Sequence, residues 1–144
     1  MSLEELVHDV ESRLADIGRR LLQPGPKALV QEEADAVGRE LEARRAALAR
    51  AKAERDATAR RILDNHSSVR RLTALTEHHV RRHEHDQGWQ YAMELDRARQ
   101  ALSDDRAALP RHEQACWSLQ FKIRQLERKL ARLEELLNPS QAKA

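Results

Sequence analysis

The chain is 144 residues long, 35% charged and only 3% aromatic, with 4 Gly and 4 Pro. Few breakers, few aromatics and a large share of Ala, Arg, Glu and Leu describe long helices and exclude a strand-rich or α/β core. A single cysteine excludes an intrachain disulfide, and no apolar run nears the roughly 18 residues of a membrane span, so a reducing, cytoplasmic setting is expected.

So much charge also suits a disordered chain, but the apolar residues here are periodic and not merely sparse. The formal charge of +2 is distributed in blocks: −4 over residues 1–38, +6 over 39–82, −3 over 83–110 and +3 over 111–144. The opening Ser2, Glu4 and Glu5 lack the basic region and apolar run of a secretory leader, and none is expected.

The first helix is expected over about residues 2–22. The Ser2 hydroxyl suits the free amides of the first turn, and Glu5 can reach back to complete a capping box. Leu3, Val7, Val10, Leu14, Ile17 and Leu21 recur at spacings of four and three, which makes one face apolar. Gln23-Pro24-Gly25-Pro26-Lys27 then ends the helix, and Pro26 suits the first position of the next.

The second helix is expected over about 26–84. Its seam reads Val30, Ala34, Val37, Leu41, Arg44, Leu48, Ala51, Arg55, Thr58, Ile62, Asn65, Val69, Leu72, Thr76, His79 and His83. The spacing is regular but the content is polar, and arginine at two seam positions implies a drifting register or a neighbouring acid. His85-Asp86-Gln87-Gly88 is the mid-chain turn signal, with Asp86 as the cap of a third helix. A turn at Asp64-Asn65-His66-Ser67-Ser68, giving shorter helices, is the alternative.

The third helix is expected over about 87–138, ended by Asn138 and Pro139 and followed by a disordered tail at 139–144. It carries the cleanest pattern in the chain. Leu95, Ala98, Leu102, Asp105, Leu109, His112, Cys116, Leu119, Ile123, Leu126, Leu130, Leu133 and Leu137 alternate at three and four without a slip. A heptad held over roughly six repeats belongs to a helix packed lengthwise on another. That phase passes through Pro110 unchanged, so Pro110 reads as a kink in one helix. Folding back at Gly88 pairs positions whose numbers sum to about 174 and sets His112 across from Ile62, within a turn of His66.

Several groups are candidate sites. His78, His79, His83 and His85 fall within eight residues. His79 and His83, four apart, suit a zinc or nickel site with His85 or Asp86 as third ligand, against the plainer role of a polar helix end. Arg39, Arg50 and Arg61 are spaced by eleven, as are Arg60, Arg71 and Arg82, so the six share one face opposite the seam. That stripe can track phosphates of nucleic acid or an anionic membrane surface, or simply stand in solvent. No aromatic residue interleaves with it to stack on bases. Leu119, Ile123, Leu126, Leu130, Leu133 and Leu137 form the strongest interaction seam. Asp105 and His112 within the same seam suit register control, and Cys116 suits an apolar filler. Trp117 and Phe121 form a second stripe, expected to be covered by the start of helix 1. Trp89 and Met93, near the turn, are a candidate contact between copies.

No nucleophile stands with a base at catalytic spacing, and no glycine-rich phosphate loop or His-Glu-x-x-His motif occurs, so no enzyme and no cofactor are expected. The expectation is a single all-α domain over 1–144: a long antiparallel coiled-coil hairpin with a short N-terminal helix packed at its base. Its expected role is a scaffold or adaptor for protein–protein assembly, self-associating, with a dimer favoured. Binding of nucleic acid or anionic membrane through the arginine stripe is the alternative, and metal binding at the hairpin tip a weaker one.

Overall fold

A computed structural model describes residues 2–20 and 25–139, with residues 15–20 described by their backbone alone. It contains α1 (Leu3–Arg20), α2 (Pro26–Arg81) and α3 (His85–Leu137), with no strand among the described residues. The long helices α2 and α3 pack against each other in antiparallel sense, and α1 is the short N-terminal addition, which makes an all-α hairpin. The expected break at Gln23-Pro24, the side chains of Ile17 and Leu21, and the tail beyond Pro139 lie outside the described residues. By packing, the chain forms two compact units, one of Met1–Leu48 with Ser118–Ala144, the other of Ala49–Trp117.

The first unit holds the larger apolar core. Its α1 begins with the reciprocal cap that its sequence implies: the Ser2 amide donates to Glu5 Oε2 at 2.9 Å, and the Glu5 amide to Ser2 Oγ at 3.2 Å. Val10 of α1 is buried with Val30, Ala34, Val37 and Leu41 of α2 and Ile123, Leu126 and Leu133 of α3. Leu14, Leu48, Leu130 and Leu137 line that cluster. Each fully buried aliphatic side chain contributes about 1.5–3 kcal/mol of transfer free energy, so this three-helix packing is what holds α1. Glu33 accepts from both Arg13 of α1 (3.5 Å) and Lys129 of α3 (3.0 Å), tying the three helices at one point. Arg44, placed in the seam by its spacing, is exposed and pairs with Glu40 on its own helix.

The second unit is made of α2 and α3 alone, and its seam is sparse. Leu72, Leu95, Leu102 and Cys116 are its buried apolar side chains, and Thr58 is 1% exposed. No break occurs at 64–68, where α2 continues unbroken, so the alternative turn there is overturned. Helix α3 likewise runs through Pro110 without interruption. The loss of the Pro110 donor leaves the Arg106 carbonyl without its helical partner.

The reversal occurs earlier than the glycine suggests. Helix α2 ends at Arg81 and α3 starts at His85, so the connection is Arg82-His83-Glu84. The His83 amide donates to the Val80 carbonyl (3.1 Å) and the Glu84 amide to the His79 carbonyl (2.9 Å), while His83 adopts φ 56°. These are the two backbone bonds of a Schellman C-cap, with histidine at the left-handed position that glycine usually fills. The Glu84 carbonyl then accepts from the Gly88 amide at 2.9 Å, so one residue ends α2 and opens α3.

Asp86 is therefore in the first turn of α3 and not its cap, and Gly88 is a buried helical residue. Its lack of a side chain serves close approach: a Cβ there would stand 3.3 Å from Val80 Cγ2. Moving the fold point back by about one turn displaces each facing residue by about two turns. Arg61 meets Asp105, and Glu54 meets His112, numbers that sum to 166 instead of the expected 174. His112 consequently faces Glu54, not Ile62 and His66.

Candidate interaction surface

The turn engages its own histidines. His79 Nδ1 lies 3.0 Å from Glu84 Oε2 and stacks on Tyr91 with ring centroids 5.2 Å apart, while Arg82 Nε holds the other Glu84 oxygen at 2.8 Å. An ionised carboxylate only accepts, so the imidazole N–H donates. The His79 hydrogen bond, joined by the charges of Arg82 and His79 and opposed by desolvation, holds the Glu84 carboxyl below the usual glutamate range. Because the helix stops at Arg81, His79 and His83 do not share a helical face. His83 turns toward His85, with ring centroids 6.1 Å apart. Among the described residues no three His, Cys, Asp or Glu side chains stand close enough to hold a metal ion.

The arginine stripe divides by what each side chain touches. Arg61 leaves it, donating to Thr58 Oγ1 at 2.9 Å and to Asp105 at 3.4 Å. Arg82 sits in the turn on Glu84. Arg39 belongs to the first unit and is exposed there. Arg50, Arg60 and Arg71 are exposed in the second unit and make no ion pair with any described residue.

The seam positions Leu119, Ile123, Leu126, Leu130, Leu133 and Leu137 are buried or half-buried, with Leu133 fully enclosed. Of these, Ile123, Leu126, Leu130, Leu133 and Leu137 belong to the apolar cluster of the first unit. Asp105, in the seam of the second unit, collects Arg61 and also the Asn65 amide at 3.4 Å. Sequence spacing placed Asp105 in the seam but did not reveal this four-residue cluster with Thr58, because its composition depends on which turn of α2 faces Asp105. Cys116 is buried with a free thiol.

Open grooves also occur in the first unit. One of about 410 Å³ in the first unit is lined by Ser2, Leu3, Leu6, Phe121, Arg124, Gln125 and Arg128. The start of α1 thus reaches the Phe121 side of α3, although Phe121 stays half exposed.

The second unit shows apolar surface instead. Trp89 is 68% exposed, Met93 44% and Trp117 61%, and Leu63 and Val80 are exposed as well. Leu63 and Val80 had no signal in the seam pattern, since their spacing places them off it. No helix among the described residues is long and apolar enough to cross a membrane. Compared with family models, curated proteins and solved structures, the chain matches none.

Proposed function

We propose that this chain is a non-enzymatic assembly module, a helical-hairpin scaffold or adaptor that associates with itself through exposed apolar side chains of the α2–α3 pair. One observation carries this reading. In the second unit five large hydrophobic residues are exposed (Leu63, Val80, Trp89, Met93, Trp117), against four buried apolar ones (Leu72, Leu95, Leu102, Cys116). Two helices with so small a core gain by covering such exposed apolar side chains.

The test is light scattering coupled to size exclusion across about a hundredfold range of concentration, with thermal unfolding at each concentration. Linked association raises the melting temperature as concentration rises. A mass of one chain throughout, with an unchanging melting temperature, refutes self-association.

A second reading rests on Arg50, Arg60 and Arg71, exposed and without an ion pair to any described residue, on the basic arm of the second unit. Such a row suits phosphates of nucleic acid or anionic lipid. It predicts binding that weakens steeply with salt and disappears on reversing Arg60 and Arg71 to Glu.

A further inference from the structure

Within the second unit, α3 carries another heptad on the face turned away from α2. Trp89, Met93, Asp96, Gln100, Ser103, Ala107, Pro110, Gln114 and Trp117 recur at four and three, and all nine are exposed. Only Asp96 among them is charged, in a chain that is 35% charged. The outer face of a two-helix hairpin is ordinarily its most charged surface, so a row at heptad spacing with one charge in nine positions is the pattern of a face meant for another helix. In the first unit a third helix, α1, joins α2 and α3; the second unit has none.

We propose that this face pairs with the same face of a second copy, in antiparallel register, about a two-fold axis at the level between Ala108 and Leu109. This deepens the assembly reading above and rests on it.

The charges beside the row select the occupant and the register. Flanking it are Arg97, Asp104 and Arg111 on one side and Arg99, Arg106 and Glu113 on the other, all exposed. In antiparallel helices each flank meets its own counterpart. With the axis between residues 108 and 109, Asp104 meets Arg111 of the second copy and Arg106 meets Glu113, each twice. The row then layers Trp117 on Gln100, Gln114 on Ser103 and Pro110 on Ala107. Sliding by one heptad sets Arg97 against Arg111 and Asp104 against itself. A second heptad sets Arg99 against Arg106. Parallel in-register pairing sets Asp96 against Asp96 and Arg106 against Arg111. Of these four arrangements, the first alone has no like-charge pair on its flanks.

The symmetry supplies a test by charge exchange in the full chain. Arg106→Glu alone and Glu113→Arg alone each turn two attractive pairs into two repulsive ones, and each weakens self-association by about tenfold in sedimentation equilibrium. Mixing the two variants restores affinity in a mixed dimer, as does the double variant with itself. All these positions are exposed, and unchanged helical circular dichroism verifies folding. Trp117→Ala also weakens association.

Register is read by mixing Ser103→Cys with Gln114→Cys, both in a Cys116→Ala background, where a disulfide between the two chains forms preferentially. Association that is indifferent to charge reversal, or reversal without rescue on mixing, overturns this surface and leaves the assembly reading standing. A monomer at every concentration overturns both.

Discussion

His83 occupies a backbone conformation that side chains with a Cβ adopt at a cost, φ 56°, held there by the two backbone hydrogen bonds of the cap. Left-handed conformation costs an ordinary residue about 1–2 kcal/mol, partly offset in glycine by the larger entropy of its unfolded chain. His83→Gly is therefore expected to stabilise the fold by roughly 1 kcal/mol, and His83→Val to destabilise it by more. Denaturant midpoints at constant slope measure both. Glu84, beside it, has a depressed pKa in the folded chain. Its contribution is thus complete above the unfolded glutamate value and is lost as pH falls through the lower folded value. The melting-temperature advantage of the native chain over Glu84→Gln should be largest near neutral pH and close toward pH 3. An advantage that persists unchanged in acid would contradict the carboxylate's role in the turn.

At the scale of the helix, the polar stretch of the α2–α3 seam and Pro110 stand out. Asp105 is only 16% exposed at its side chain and takes Arg61 and Asn65 from α2 at 3.4 Å. Truncating it to Ala leaves Arg61 and Asn65 facing a gap, and a loss of about 1–3 kcal/mol is expected in equilibrium unfolding. Replacing Asp105 and Asn65 together with Leu is expected to raise stability. It should also loosen the pairing of α2 with α3, because an apolar layer tolerates slippage where a polar one does not. Disulfide trapping between cysteines placed at Glu54 and His112, which face each other in the native chain, would then fall in yield. Pro110→Ala restores a helical donor at an exposed site and is expected to stabilise α3, by up to about 3 kcal/mol. Its measure is the shift in melting temperature.

For the molecule as a whole, the issue is what covers the apolar side chains that intramolecular packing leaves in water. Concentration-dependent unfolding follows if the second unit completes its packing on another copy. Trp89 and Met93 lie outside the layers at residues 100–117 of the proposed antiparallel register, so Trp89→Ala with Met93→Ala is expected to leave the association constant unchanged in sedimentation equilibrium. A lower constant at unchanged helicity would extend the contact toward the turn. Much of this was legible in advance. The unbroken three–four alternation from Leu95 to Leu137 forecast the burial of Leu95, Leu102, Cys116, Ile123, Leu126 and Leu133 position by position. The capping box at Ser2 and Glu5 was equally plain, because both partners lie within one turn. The turn was misplaced because a glycine signal was sought where the chain uses a histidine in the left-handed position. Gly88 had a different task, close approach to Val80.

Local periodicity and capping chemistry were sufficient to determine three helices, their seams and their antiparallel return, since each depends on residues within a few turns of one another. The position of the reversal, the pairing of Asp105 with Arg61, the loss of a shared face for His79 and His83, and the bare outer side of α3 were decided only by tertiary packing. The reason is geometric. Facing residues on two antiparallel helices shift by two for every residue that the turn moves, so a local ambiguity of one helical turn alters every contact across the hairpin.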